Sequence, residues 1–351
     1  MTTQLPKDRA PSIRDVARLA GVSYQTVSRV LNNHPSIRET TKARVTQVME
    51  ELQYRPNRAA RMLVTRHSRT IGVLSASSAE YGPARSIVAI EDAARAAGYY
   101  VNVANLAAAD PGSISEALEH LMEQAIEGLV VIAPQVRVFD VLARMSIDVP
   151  YVSFQPTGRA EPLVPADQVA GARMATRHLI DLGHREIIHL AGPQDWIEAE
   201  ARMRGFLEEI DSAELPTNPP ILGDWTAEFG YYAGRELLRT RRFSAVFAAS
   251  DHMALGLLHA FHEGGIDVPG DISVVGFDDM PDSKHFLPPL TTVRQDFGET
   301  GRRAVAVLLA EVSGEAVAER VQSLPELVVR GSTGTAPGAA TTVNSSVTPR
   351  T

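Results

Sequence analysis

There is no cysteine among the 351 residues, which excludes disulfides, zinc–thiolate sites and a thiol nucleophile and fits a reducing compartment. Long apolar runs are missing too. Nothing approaches the ~20 residues of a membrane span, and the stretch from Met1 to Pro11 is charged and lacks a signal-peptide core. Neither G-x-x-x-x-G-K-S/T nor G-x-S-x-G occurs in the body, so a P-loop and a nucleophile elbow are excluded. These absences predict a cytoplasmic protein with no cofactor, no metal and no membrane partner. Basic residues are outnumbered, 34 Lys and Arg against 42 Asp and Glu, but unevenly. Residues 1–70 hold 13 basic and 5 acidic side chains, and the remaining 281 hold 21 and 37. A basic module on an acidic body is what docking to phosphate requires, with the body's like charge discouraging other contacts with DNA.

Within that basic head, Ser12 to Leu31 (SIRDVARLAGVSYQTVSRVL) reads as two short helices broken at Gly21, a helix-turn-helix. Ser12 can cap the first helix with Asp15 three residues on, and Ser23 can cap the second. On the second helix Val27, Val30 and Leu31 fall at i, i+3 and i+4 and face a core, whereas Gln25, Ser28 and Arg29 share the opposite side beside Tyr24. In the major groove Gln pairs with adenine and Arg with guanine. A capping box at Ser36–Glu39 opens a third helix, whose Val45, Val48, Met49 and Leu52 can close a three-helix core over Val16, Val27 and Val30. Pro56 can start a further short helix, Asn57 to Val64, carrying Arg58 and Arg61. Its Met62, Leu63 and Val64 read either as a minor-groove wedge or as a linker packed on the next domain.

From Ile71 onward β-branched runs alternate with helical stretches. The expected strands are Ile71–Leu74, Tyr99–Ala104, Leu129–Ile132, Tyr151–Phe154, Ile187–Ala191, Ala245–Ala249 and Ser273–Phe277. Helices between them include Ile87–Ala97, Ile114–Ile126, Ala170–Leu182, Glu200–Ile210, Ala227–Leu238 and Met253–His262. This pattern predicts parallel sheets covered on both faces and, at this length, two subdomains. His184 and His189 are poor metal candidates and read as structural or loop residues. The Gly/Ser/Thr/Pro-rich stretch after Arg330 predicts a disordered tail, and it holds no leucine heptads, so a dimer is expected.

GVSYQTVSRVLN followed by YRPNRAARML, then HLAGP, GDW, MALG, DISVVGFDD and PPLTTVRQDF along the body, resemble the LacI/GalR family of bacterial repressors over roughly residues 12–330. The resemblance implies an N-terminal all-α helix-turn-helix headpiece plus an α/β periplasmic-binding-protein-like core of two Rossmann-like subdomains, crossed three times by the chain. The expected layout is headpiece 1–55, hinge helix and linker 56–68, core 69–330 and tail 331–351. It further implies a repressor that leaves double-stranded operator DNA in the bacterial nucleoid when a sugar binds, although some members need the ligand to bind DNA.

The residue roles implied are as follows. Ser23, Tyr24, Gln25, Thr26, Ser28, Arg29, Asn32 and Asn57 face DNA, with Arg58 and Arg61 near phosphates and Leu63 as the minor-groove wedge. Asp278 accepts sugar hydroxyls, Arg202 donates to them, and Trp225 stacks on the sugar. Gln295, Phe297 and Ser77 line the site, and Trp196 can add a wall. Gln155 and Ser250 depart from the Asp and Asn of a well-matched member, but stay polar. The matching pocket and the Tyr24-Gln25 pair imply a β-galactoside or related sugar. Taken without its head, the body also reads as a sugar-binding receptor, or as a sugar enzyme using adjacent Asp278 and Asp279. The missing signal peptide, and the difficulty of aiming adjacent carboxylates at one bond, argue against both.

Overall fold

A computed structural model describes residues 11–31, 34–54, 62, 67–76, 80–106, 108–133, 135–145, 147–154, 166–240, 242–315 and 324–338. The chain divides into two compact units, Met1–Ser68 and Arg69–Thr351. In the first, α1 (Ile13–Leu19), α2 (Tyr24–Leu31) and α3 (Glu39–Glu51) enclose Val16, Ala17, Ala20, Val27, Val30, Val45 and Val48. The capping box of α1 forms, with the Ser12 N–H donating to Asp15 Oδ2 (2.9 Å) and the Asp15 N–H to Ser12 Oγ (3.4 Å). Gly21 makes the turn at φ 63°, and the Thr26 N–H donates to Ser23 Oγ (3.1 Å) to start α2. The start of α3 corrects the sequence reading, because its N-cap is Arg38 and no side chain caps it. Ser36 lies two residues too early to reach the first-turn amides, and its hydroxyl meets the His34 ring instead (2.9 Å). The helix expected over Asn57–Val64 lies outside the described residues except for exposed Met62, as does Asn32.

In the second unit one lobe is built from β1 (Thr70–Ser75), α4 (Tyr81–Ala96), β2 (Tyr100–Asn105), α5 (Pro111–Glu123), β3 (Gly128–Ile132), α6 (Val136–Leu142) and β4 (Tyr151–Ser153). The other holds α7 (Gln168–Asp181), β5 (Ile187–Ala191), α8 (Ile197–Ser212), β6 (Ile221–Leu222), α9 (Ala227–Thr240), β7 (Ala245–Ala248), α10 (Asp251–Glu263), β8 (Ser273–Asp278) and β9 (Thr291–Arg294). The first sheet runs β2-β1-β3-β4, all parallel. The second runs β10-β9-β8-β7-β5-β6 and is parallel except where β10 (Glu326–Val328) joins β9 antiparallel. Strands such as β3 (GLVVI) are buried along their whole length because helices cover both faces.

Between β9 and β10 comes α11 (Phe297–Ser313), which returns to the first lobe, where Ala304, Val305 and Leu308 join the core of Ile71, Val73, Val130 and Ile132. The chain therefore passes between lobes three times: from β4 to α7, from β9 to α11 and from α11 to β10. The tail is a second correction. Gly331–Gly338 is part of the second lobe, not a disordered extension. Ser332 is fully buried, its carbonyl accepts from the Val274 N–H (2.8 Å) and its hydroxyl from the Thr291 N–H (2.8 Å), while the Ala336 N–H donates to Leu182 O (2.9 Å). Small residues look like linker by composition, but here Ser332 and Ala336 are buried and the backbone is hydrogen-bonded to the lobe. Residues 339–351 lie outside the described set.

Candidate functional site

Two places concentrate exposed or convergent polar chemistry. On α2, Val27 and Val30 anchor the helix while Tyr24, 56% exposed, Gln25 and Arg29 stand in solvent and Ser28 is half-buried. Ser23 and Thr26 are joined at their hydroxyls (2.9 Å), so their first role is to shape the helix start. A polar exposed face whose backbone is fixed by a cap and a glycine turn presents side chains at defined positions, as groove reading requires.

The second place is a cavity of about 90 Å³ between the lobes, at the carboxyl ends of the strands. Trp196, Arg202, Trp225, Ser250, Asp278, Gln295 and Phe297 all line it, so every effector residue expected from sequence that lies among the described residues is brought together. Ser77 and Gln155 fall outside those residues, as do Asn57, Arg58, Arg61 and Leu63.

Asp278 ends β8 at φ 101° and Asp279 follows at φ 50°. This unusual backbone throws the two carboxylates apart. Asp278 Oδ1 accepts from Arg202 Nη2 (3.2 Å) and Gln295 Nε2 (2.6 Å), while Oδ2 takes no hydrogen bond among the described residues. Arg202 is 5% exposed and fully engaged: Nε donates to Gln168 Oε1 (2.9 Å), Nη1 donates to the Ala249 carbonyl, and the guanidinium lies 3.9 Å from the Phe277 ring centroid. Gln168 closes the ring of bonds by donating to Gln295 Oε1 (2.6 Å). Asp279 turns away to Arg330 (2.5 Å) and Arg294 (2.7 Å); burial raises its pKa, but these two cations outweigh that and hold the carboxyl below its usual range. The paired-carboxylate enzyme geometry is thus not formed.

Trp225 is both a core aromatic and a cavity wall. Its benzene edge rests where a side chain at Gly192 would stand, with ring atoms 2.2–2.6 Å from an added Cβ, and Trp196 meets it edge-on at 5.3 Å. Its indole N–H is buried and has no acceptor among the described residues. Ser250 caps α10 by accepting from the Met253 N–H (3.3 Å). Next to it Asp251 is fully buried, accepts from Thr292 Oγ1 (2.6 Å) and the Met280 N–H (2.8 Å), and burial pushes its pKa up to about 8. Sequence reasoning missed Gln168, Glu80, Glu198 and His252 in the lining. Glu80 and His252 follow the ends of β1 and β7, and that position is the signal that could have found them. The two histidines are structural. His184 links Ser244 (2.8 Å), Ser273 (3.0 Å) and Gly334 (3.1 Å), and His189 is stacked between Phe206 and Phe247.

Residues 12–57 match the family model described as bacterial regulatory proteins, lacI family, and residues 176–333 match a periplasmic binding protein-like domain. The lactose operon repressor of Escherichia coli strain K12 is 34% identical over 334 residues, covering 94% of this chain and 92% of that protein. The chain belongs to the lacI family of bacterial regulatory proteins. Another member, the HTH-type transcriptional repressor PurR of Pasteurella multocida, is 32% identical over 92% of this chain and 98% of its own length. A crystal structure of the lac repressor dimer bound to operator and the anti-inducer ONPF superposes with a TM-score of 0.84 at 33% identity, over 93% of this chain and all of that one. This lacI-family chain is therefore a ligand-regulated DNA-binding transcriptional repressor and not an enzyme, and its two lobes have the periplasmic-binding-protein architecture.

Proposed function

We propose that the chain represses transcription in the cytoplasm as a homodimer on an approximately two-fold operator, and that a β-galactoside or closely related sugar bound between the lobes releases it. Tyr24, Gln25 and Arg29 read base edges, with Ser23, Thr26, Ser28 and Asn32 beside them. Asn57 contacts DNA, Arg58 and Arg61 lie near phosphates, and Leu63 enters the minor groove from the 56–68 segment. The observation that carries the effector reading is Asp278. Its Oδ1 is held by Arg202 and Gln295 and its Oδ2 takes no hydrogen bond among the described residues, in a cavity walled by two tryptophans. A carboxylate that can accept hydroxyls beside an aromatic face suits the alternating O–H and C–H surfaces of a sugar. The likeness to the lactose operon repressor supports a galactoside. By linkage, operator weakens sugar binding by the factor with which sugar weakens operator binding.

The test is a mobility shift on a symmetric operator of the lac type, with galactosides, glucosides, pentoses and purine bases in turn. Release by a galactoside is the expected result. Release by a purine and by no sugar, or binding that requires the sugar, overturns the proposal.

A further inference from the structure

The cavity has a polar group that the Asp278 network does not use. Glu80 precedes α4 in the N-cap position, yet its side chain makes no capping bond there, and it forms no hydrogen bond or ion pair among the described residues. It lines the cavity from the first lobe, whereas Asp278, Arg202 and Gln168 line it from the second. The charges that act on Glu80 are His252, which lines the same cavity, and Asp224, beside Trp225. Burial pushes its carboxyl above the usual range, His252 opposes that push, and Asp224 adds to it. The same cavity has aromatic walls, Trp225 and Trp196 on one lobe and Phe154 and Phe297 on the other, and neither Asp278 nor Arg202 is among the charges that act on Glu80. A half-buried carboxylate that is not spent on its own helix keeps its oxygens open to donors that enter the cavity.

We infer that Glu80, with the charge of His252 acting on it from the other lobe, is a specificity-determining group that accepts hydroxyls on the part of the effector away from Asp278, so the site selects a glycoside whose aglycone is hydroxylated over one whose aglycone is apolar. The inference rests on the galactoside reading and names what that sugar carries at its other end. Chemically, a carboxylate gains charge-assisted hydrogen bonds from such hydroxyls, whereas an alkyl group covers it and leaves it desolvated without a partner. Ser86, also in the lining, spends its hydroxyl hydrogen on the Gly82 carbonyl (2.9 Å) and so offers no donor that competes with Glu80.

The test uses two ligands with the same three-carbon aglycone skeleton, β-galactosyl glycerol and isopropyl β-galactoside, titrated calorimetrically into the full-length protein and into Glu80→Leu and Glu80→Gln. Glu80 is only half-buried, so both variants should keep the wild-type melting temperature, which circular dichroism checks. The wild type should bind the glycerol compound about 10- to 100-fold more tightly. Glu80→Leu should reverse the order, and Glu80→Gln should fall between. Equal wild-type affinity for the two ligands, or a ratio unchanged in Glu80→Leu, overturns the inference while leaving the galactoside reading intact. No heat with either ligand in the wild type overturns the galactoside reading and this inference with it.

Discussion

At the scale of single residues, the two functional places separate cleanly. Gln25 is exposed on a helix whose other face is buried, so Gln25→Ala should leave folding unchanged. It should cost about 1–3 kcal/mol at one operator position. Competition shifts with single-base operator variants check this, and equal losses on operator and random DNA would sink it. Asp278→Asn should abolish release by effector while operator affinity stays at the wild-type value, because an amide cannot accept two hydroxyls as a carboxylate does. Calorimetry and operator release measured on the same samples decide it. His189 makes a different kind of prediction. Burial between Phe206 and Phe247, partly offset by its bond to the Phe247 carbonyl (3.0 Å) and reinforced by Arg202, lowers its pKa to about 4. A neutral ring in the fold and a protonatable one in the unfolded chain means stability is fully present above pH ~6.5 and is lost as pH falls towards 4. Urea midpoints for wild type and His189→Phe should therefore converge, or cross in the variant's favour, between pH 7 and 4.5.

At the scale of elements, tight helix packing rests on backbone more than on side chains. A Cβ on Gly256 of α10 would stand 1.9 Å from the Ala227 carbonyl, and one on Gly230 of α9 would stand 2.1 Å from that of Met253. Backbone cannot step aside as a side-chain tip can, so Gly256→Ala should cost about 1–3 kcal/mol or more. A lower urea midpoint with an unchanged slope would show it. The regular elements were legible where sequence period and burial agree: β3 is a continuous apolar run, β5 and β8 are apolar apart from His189 and from the terminal Ser273 and Asp278, and α5 and α7 carry apolar residues at helical spacing. They were missed where those signals part. β9 reads TTVR, polar by composition, but Thr291 and Thr292 are fully buried because their hydroxyls bond Thr333 (3.0 Å) and Asp251 (2.6 Å). β6 has only two residues, β10 depends on its partner strand, and α6 is a single short helix. In the site, the cleft residues came from motif likeness, whereas Gln168 was invisible because nothing local marks a side chain that meets the cavity only in the folded chain, and Glu80 was marked only by its place after β1.

At the scale of the whole molecule, the tail carries the prediction. Because Ser332, Gly334 and Ala336 are bonded into the second lobe, deletion of 331–351 should lower the melting temperature by several degrees. Deletion of 339–351 should leave melting and the dimer mass in ultracentrifugation unchanged apart from the residues removed. Identical melting of the two truncations would contradict the packing of Gly331–Gly338.

The passage from β9 to α11 is only two residues long, Gln295 and Asp296. Asp296 locks the start of α11 by accepting from the Glu299 N–H (2.8 Å), and Gln295 is tied to Asp278 and Gln168 (2.6 Å each). With no slack in the link, a molecule that pulls on Gln295 pulls on the pivot itself, and α11 acts as a lever whose far end is set in the sheet of the other lobe. A ligand held by Gln295 would therefore load one of the three passages between the lobes directly, as torque at a joint.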